Sequence, residues 1–592
     1  MKRLALPLPG VALLAAGYAL PMAIVVWMSL RHQGHWSTQA YAQIVRAPVF
    51  FGIFLKTLWM AFSVTGLCAL LGYPYAYFVA TRIRRYAAPI MMLVVIPYLT
   101  SVLIRSYSWI AILGSSGIVN RLLISIGLTS EPLPLVFSSF GSYVGMVHIL
   151  LPMMILPLYG ALRRLDPALI KAAQSLGGGP ATVFWTVVFP LSRPGLAAGC
   201  ALVFLCALGF YITPAMLGAP GDYLVAQAIE VRVSTLADFD FAAALACILF
   251  FGVSGFLVLF RRNVVPLGPA ANDRWRSAGT GSGLRGAAWY RRTGIDQVAV
   301  ALVDLCDAMA FLASPCLLIL SALVLLFLLA PMIVVVMIAF SNAPYLVFPP
   351  PGFSTRWFNS LLGDQRWRDA AVFSFSMAVL SASTASLVGT AYSISVTRGA
   401  LRARRIMWLA AIVPMILPQI VLGIGLFFLA VALNLNGTIV GFWLGFTVLG
   451  FPYVVIIMTA ALQNSDIDVE RAAVGLGATP MAAFLTVTLP LLIPALSSAF
   501  LFAFLAGFDD LVLSMFLSSP SKTPLAMLMW QDIHLEISPK TAVVGAFQLA
   551  ALLAASMLLV ILRKAKGTGE KIKMIRSRKS EDPRDTAASP AS

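Results

Sequence analysis

The chain has 592 residues, 60% of them hydrophobic and 11% charged, with a formal net charge of +18. Soluble chains carry about 25% charged residues, so this composition excludes an ordinary water-soluble globular protein. The positive charge does not point to nucleic acid as a partner, because the basic residues sit in short blocks between apolar runs.

Spanning a bilayer as a helix takes about 20 consecutive apolar residues, and stretches such as Phe241 to Phe260 and Pro315 to Phe340 meet that length. The runs are continuous rather than alternating, so helices and not barrel strands satisfy the backbone in lipid. In chain order the predicted spans lie near 9–30, 53–80, 88–111, 138–160, 193–216 and 240–260, then near 315–341, 370–396, 406–432, 440–461, 493–516 and 541–562. Lys2 and Arg3 precede the first run as they would in a signal peptide. That run continues to Leu30 and meets Arg31, which makes it an uncleaved span. The fold class is therefore all-α integral membrane, with about 12 transmembrane helices.

With the N-terminus inside, Arg82, Arg84 and Arg85, then Arg163 and Arg164, then Arg261 and Arg262 all fall on the cytoplasmic side. So do Arg398, Arg402, Arg404 and Arg405, and Arg563, Lys564 and Lys566. Both termini are then cytoplasmic, and 31–50 and 342–368 face outward. Residues 1–262 form the first six-span half and 309–566 the second. The cytoplasmic linker 263–308 includes a Gly-, Ser-, Ala- and Arg-rich run from Asn272 to Gly286. The tail 567–592 is charged and then small and polar, the composition of a disordered segment. Cys68, Cys200, Cys206, Cys247, Cys306 and Cys316 lie in or beside apolar runs without CxxC spacing, as packing residues do.

The halves are an internal repeat. Residues 300 apart match at Pro152/Pro452, Ala161/Ala461, Leu162/Leu462, Asp166/Asp466, Leu176/Leu476, Pro180/Pro480 and Pro194/Pro494. Upstream the offset is 317, with Met60/Met377, Ala61/Ala378, Gly72/Gly389 and Tyr75/Tyr392. Apolar matches arise by chance in such a chain, whereas Asp, Gly and Pro in one frame do not. An even number of spans per repeat gives the halves parallel topology about an axis along the membrane normal.

The repeat agrees best in the segments between the fourth and fifth spans of each half, within 161–192 and 461–492. Lys171-Ala172-Ala173 leads to Gly177 and then Val187-Val188-Phe189-Pro190; Arg471-Ala472-Ala473 leads to Gly477 and then Val487-Thr488-Leu489-Pro490. A short helix with two alanines packs closely on a partner, glycine ends it, and proline opens the next span. The bland alternative is an ordinary capped connector, which would have no reason to resemble its counterpart more than the spans resemble each other. These loops resemble the EAA motif of ABC importer permeases: Glu-Ala-Ala, three residues, Gly, nine residues, Ile-x-Leu-Pro. In that family of type I importers the loop is a coupling helix that docks on the ATPase subunit. Lys171 and Arg471 stand where the motif has glutamate, which removes the salt bridge that residue would make; Asp166, Asp468 and Glu470 lie close by.

The resemblance extends to the spermidine/putrescine branch of these permeases. The first half is similar to one of its channel proteins through Gly72-Tyr-Pro-Tyr-Ala76, Ile104-Arg-Ser-Tyr107, Leu150-Leu-Pro152 and Gly209-Phe-Tyr211. The second is similar to the other through Met377-Ala378, Gly507-Phe-Asp-Asp510 and Ser538-Pro539. It implies a fused permease of the bacterial inner membrane, partnered by two ATP-binding cassette ATPases and a periplasmic substrate-binding protein, with polyamines as substrate. An ABC permease for iron(III), thiamine or an aminophosphonate is the alternative, and an ion-coupled secondary transporter a further one.

No catalytic constellation is encoded. There is no GxxxxGK[ST], so no phosphate-cradling loop, no HExxH, and His32, His35, His148 and His534 are scattered. The chain is read as a transport subunit without cofactor, metal or ATPase site. Ionisable groups inside spans are functional candidates, which singles out Asp509 and Asp510 in the outer part of the eleventh span. Aligning Gly209-Phe210 with Gly507-Phe508 places Tyr211 opposite Asp509, and a carboxylate facing an aromatic ring suits an ammonium group. Tyr98, Tyr107 and Trp109 on the third span extend that lining. Arg105 is either an interfacial anchor or a counter-ion for Asp509, and the acidic pair either meets substrate, sits solvated at the outer interface, or caps a helix.

Overall fold

The computed structural model describes residues 6–32, 35–259, 310–398, 404–554 and 557. The expected linker 263–308 and tail 567–592 lie outside the described residues, as do Cys306 and the basic residues Arg261, Arg262, Arg402, Arg563, Lys564 and Lys566.

The first half opens with α1 (Leu8–Ser29), followed by α2 (Pro48–Thr81), α3 (Ala87–Tyr98) and α4 (Val102–Leu113). Then come α5 (Ser139–Arg163), the short α6 (Pro167–Ser175), α7 (Phe189–Leu208), α8 (Ile212–Leu217), α9 (Val225–Ser234) and α10 (Phe239–Leu259). The second half repeats the series with α11 (Ala310–Ala339), α12 (Gln365–Arg398), α13 (Arg404–Ile416), α14 (Gln419–Ala432) and α15 (Ile439–Asn464). It ends with α16 (Ile467–Gly475), α17 (Leu489–Phe508), α18 (Val512–Leu517), α19 (Leu525–Leu535) and α20 (Lys540–Ala554). Ten helices among the described residues are long and apolar enough to cross a membrane, and α13 with α14 forms an eleventh, bent span. With α20, cut short where the description ends, they occupy the twelve expected positions.

The repeat is kept to the residue. The bounds of α2 and α12 differ by 317 at both ends, and those of α7 and α17, and of α8 and α18, by 300. The change of 17 falls between α4 and α5, where the first half carries an additional helix, Ile118–Ser125. Within each half the second, fourth and fifth spans form the core: α2 with α5 and α7, α12 with α15 and α17. The matched glycines explain how closely they pack. A Cβ on Gly72 would lie 3.0 Å from Met154, and one on Gly389 would lie 2.7 Å from Val454, the equivalent neighbour.

The leading span of each half is exchanged. α1 packs against α12 and α14 of the second half as well as α10 of its own, while α11 packs against α2, α3 and α4 of the first. The imidazole Nε2 of His148 on α5 lies 3.1 Å from the Leu328 carbonyl of α11. The halves are thereby interleaved rather than merely adjacent.

Four expected spans are not continuous helices. The third breaks at 99–101 and the ninth at Leu417–Pro418, where α13 and α14 meet at 96°. Pro418 supplies the cause in the ninth: it has no N–H, and it drives the preceding residue out of the α region. The fifth span breaks at 209–211 and the eleventh at 509–511, each before a six-residue helix. Three π-turns, Ala15–Ala19, Phe184–Val188 and Phe484–Thr488, lie just before Pro21, Pro190 and Pro490. A proline at that place lacks the donor for the preceding turn, and its ring pushes the carbonyl four residues back, so the turn widens.

Candidate functional site

The two connectors between the fourth and fifth spans have the same backbone. Asp166 caps α6 by accepting from the Ala168 N–H at 2.9 Å, and Asp466 caps α16 by accepting from Asp468 at the same distance. Each short helix ends on a glycine in the left-handed region, Gly177 at φ +86 and Gly477 at φ +97. The next N–H closes onto the carbonyl of Ala173 or Ala473 at 3.1 Å. Ala172 and Ala472 are exposed, Ala173 and Ala473 half-buried, and no residue of α6 or α16 is buried. At the turn Leu176 is 89% exposed and Leu476 90%. A leucine held at the tip of a rigid turn twice over is a surface built for contact.

The connectors are fastened to the bundle differently. In the first, the Tyr73 hydroxyl meets Ser192 Oγ at 2.6 Å, and Tyr73 and Tyr77 pack edge-on against Phe184 of the π-turn. In the second, Glu470 pairs with Arg398 at the end of α12 and accepts from Thr488, while Arg398 also donates to Ser465 at 3.0 Å. The positions equivalent to Glu470 and Arg398 are Ile170 and Thr81. At the motif's glutamate position, Lys171 is exposed and Arg471 pairs with Asp468 at 2.9 Å, with both of those side chains more than two-thirds exposed.

The broken spans meet at the boundary between halves. Asp509, the first residue after α17, accepts from the Val102 N–H at 3.2 Å and so caps α4 of the other half. A carboxylate is stabilised there by the helix dipole. It also lies within electrostatic reach of Arg105, which is 2% exposed and whose Nε donates to the Ser101 carbonyl at 3.3 Å. Asp510 accepts from Leu513 at 2.7 Å and caps α18. On the opposite side of the pseudo-twofold axis Gly209 takes the place of Asp509. A Cβ on it would lie 2.4 Å from Pro418 Cβ, so the equivalent contact is made by backbone and ring alone.

This corrects two expectations. Asp509 and Asp510 sit in a break rather than along a continuous eleventh span. Because α7 and α8 match α17 and α18 at an offset of 300 with no shift, the counterpart of Asp509 is Gly209 and that of Tyr211 is Leu511. Tyr211 is buried elsewhere: its ring is 5.7 Å from that of Trp530 and its hydroxyl faces Glu230. Tyr98, at the end of α3, does join Arg105, together with Cys206; Tyr453 faces Tyr98, Cys206 and Asp510. Tyr107 donates to the Ser538 carbonyl at 2.9 Å, and Trp109 packs against His148 and Phe327. Sequence reasoning missed Tyr453, Glu230 and Trp530. For Tyr453 the available signal was a polar-tipped ring directly after the repeated Pro452, where the first half has Met153.

Residues 72–265 match the model of the family described as binding-protein-dependent transport system inner membrane component. The chain is 32% identical over 222 residues to the spermidine/putrescine transport system permease protein PotB of Salmonella typhimurium, covering 38% of this chain and 77% of that protein. It is 34% identical over 197 residues to PotB of Escherichia coli K12, covering 33% and 72%. The putrescine transport system permease protein PotI of the same strain is 32% identical over 240 residues, covering 38% and 85%. A crystal structure of a bacterial ABC transporter that imports alginate is 18% identical, covers 44% of this chain and 96% of that chain, and superposes with a TM-score of 0.33.

Proposed function

This chain belongs to the binding-protein-dependent inner membrane components, as a fused ABC importer permease of the spermidine/putrescine branch, and we propose that its two halves together form the channel of a polyamine importer. The polyamine permeases among its relatives support that substrate class. ATP is hydrolysed by two cassette ATPase subunits, one docked at each connector. A periplasmic binding protein delivers substrate to the opposite end. In this reading the chain lies in the bacterial inner membrane with both termini cytoplasmic.

The observation that carries the proposal is the pair of connectors with one backbone geometry and an exposed leucine each. Ala172, Ala173, Gly177 and Pro190, with Ala472, Ala473, Gly477 and Pro490, shape the docking helices; Lys171 and Arg471 present charge to the ATPase. In the channel Asp509 and Asp510, with Tyr98 beside them, offer negative charge and a π face to an ammonium group. Tyr107 and Trp109 form the wall behind them.

Cells expressing the intact transporter should take up labelled putrescine in a vanadate-sensitive manner. Gly477→Arg, which strains a left-handed position and enlarges the tip, should abolish uptake and ATPase co-purification. Uptake that survives vanadate, or normal ATPase association in the variant, would sink the coupling assignment.

A further inference from the structure

Glu230 is a carboxylate within the membrane domain that the caps and ion pairs do not use. Asp222 pairs with Lys56, Asp238 with Arg232, Asp364 with Lys540 and Glu470 with Arg398. Asp509 and Asp510, the acids of the first cluster, each accept one backbone bond at a helix N-terminus. Among the described residues Glu230 makes no ion pair; its partners are hydroxyls, Ser234 Oγ at 2.6 Å and that of Tyr211. It is half-buried on α9 and faces the Tyr211 hydroxyl. The Tyr211 ring packs at 5.7 Å on Trp530, which holds the place on α19 that Glu230 holds on α9.

A carboxylate without a cation, bonded to a phenol that packs on an indole, has the composition of an ammonium site. The acid supplies Coulomb attraction, and the two rings supply faces that attract a cation without competing for its protons. The rings come from different halves, so the site exists only where the halves meet. It also lies near the first cluster. Cys206, beside Tyr98, and Tyr211, beside Glu230, are five residues apart and flank the break at the end of α7.

We propose that Glu230, Tyr211 and Trp530 form a second ammonium subsite, so that the channel grips an α,ω-diamine at both ends, one at this site and the other at the cluster of Asp510, Tyr98 and Tyr453. This rests on the amine-import reading and adds to it a requirement for two charges on one methylene chain. A monoamine reaches only one cluster and forgoes the charge attraction of the other, so a diamine is preferred.

The test is uptake of labelled putrescine by cells expressing the intact transporter, with unlabelled putrescine and butylamine as competitors. Glu230→Gln keeps the shape of the side chain and should raise KM at least tenfold with Vmax within twofold. The preference for putrescine over butylamine should collapse with it. Glu230→Asp should recover most of the affinity, and Trp530→Leu should reproduce the KM effect in part. An unchanged KM and unchanged competitor preference in Glu230→Gln would overturn the subsite while wild-type uptake upheld the importer. A Vmax loss at constant KM would also overturn it, by assigning Glu230 a structural role. Wild-type cells that took up no diamine would overturn the import reading itself and the subsite with it.

Discussion

The breaks at 209–211 and 509–511 have one backbone geometry and opposite chemistry. At the first, a glycine lets the chain press onto Pro418; at the second, an aspartate reaches across to cap α4 next to Arg105. The connectors repeat this contrast at the other end of the bundle, one fastened by aromatic packing and the other by Glu470 and Arg398. Duplication has kept the path of the chain and divided the charges between copies. Backbone breaks are set by proline and by caps, which are hard to replace singly. Side chains within them are free to diverge once the two copies face each other rather than themselves.

The largest expected effect comes from removing the carboxylate at the charged break. Asp509→Ala leaves the Val102 N–H without its cap, at a cost of about 1 kcal/mol. It also takes from buried Arg105 the carboxylate within its electrostatic reach, which destabilises the buried charge further. Thermal unfolding of the detergent-solubilised protein should show the loss. The double variant Asp509→Ala with Arg105→Met should recover part of it, since the unpaired charge is then gone. A double variant no more stable than the single one would mean that the two residues do not act as a pair, and the contrast between the breaks would reduce to a cap.

A smaller effect separates the connectors. Arg398→Ala removes charge-assisted bonds to Glu470 and Ser465, each worth about 1.5–3 kcal/mol where partly buried. Amide exchange should quicken in 464–488 and stay unchanged in 164–188. Tyr73→Phe removes one neutral hydrogen bond, about 1 kcal/mol, and should quicken exchange only in the first connector. Exchange rising in both segments after either change would show that the fastenings are shared.

What the sequence could announce was set by local chemistry. Asp166 and Asp466 before a short helix, glycine at the αL end and proline at the next span are each a residue type with one conformational use, so both connectors were legible. The breaks were not, because Gly209, Asp509 and Leu417–Pro418 lie inside runs whose hydropathy stays high; apolarity reports burial in lipid and says nothing about an interrupted hydrogen-bond ladder. The pairing of Tyr211 with Asp509 followed a matching Gly-Phe dipeptide two residues out of frame, whereas the helices on both sides keep the offset of 300. The exchange of α1 and α11 was hidden for a further reason. Spans that are apolar all round carry no stripe to say which neighbour they will meet.

The smallest expected effect tests whether the two connectors also differ where they face a partner. Arg471 and Asp468 are i,i+3 neighbours in contact at 2.9 Å, both largely exposed. Such a pair contributes about 0.3–0.5 kcal/mol, so Arg471→Ala should leave thermal stability within error, and Lys171→Ala should do the same. Any change in ATPase co-purification then reports docking alone. Arg471 is partly neutralised by Asp468, whereas Lys171 has Ala168 at the equivalent place and presents its full charge. Lys171→Ala should therefore weaken ATPase retention more than Arg471→Ala, by severalfold at low salt, with the difference shrinking as salt is raised. Equal loss in the two variants would mean that the ATPases read the shared backbone and the exposed leucines, and that the charges diverged without consequence for docking.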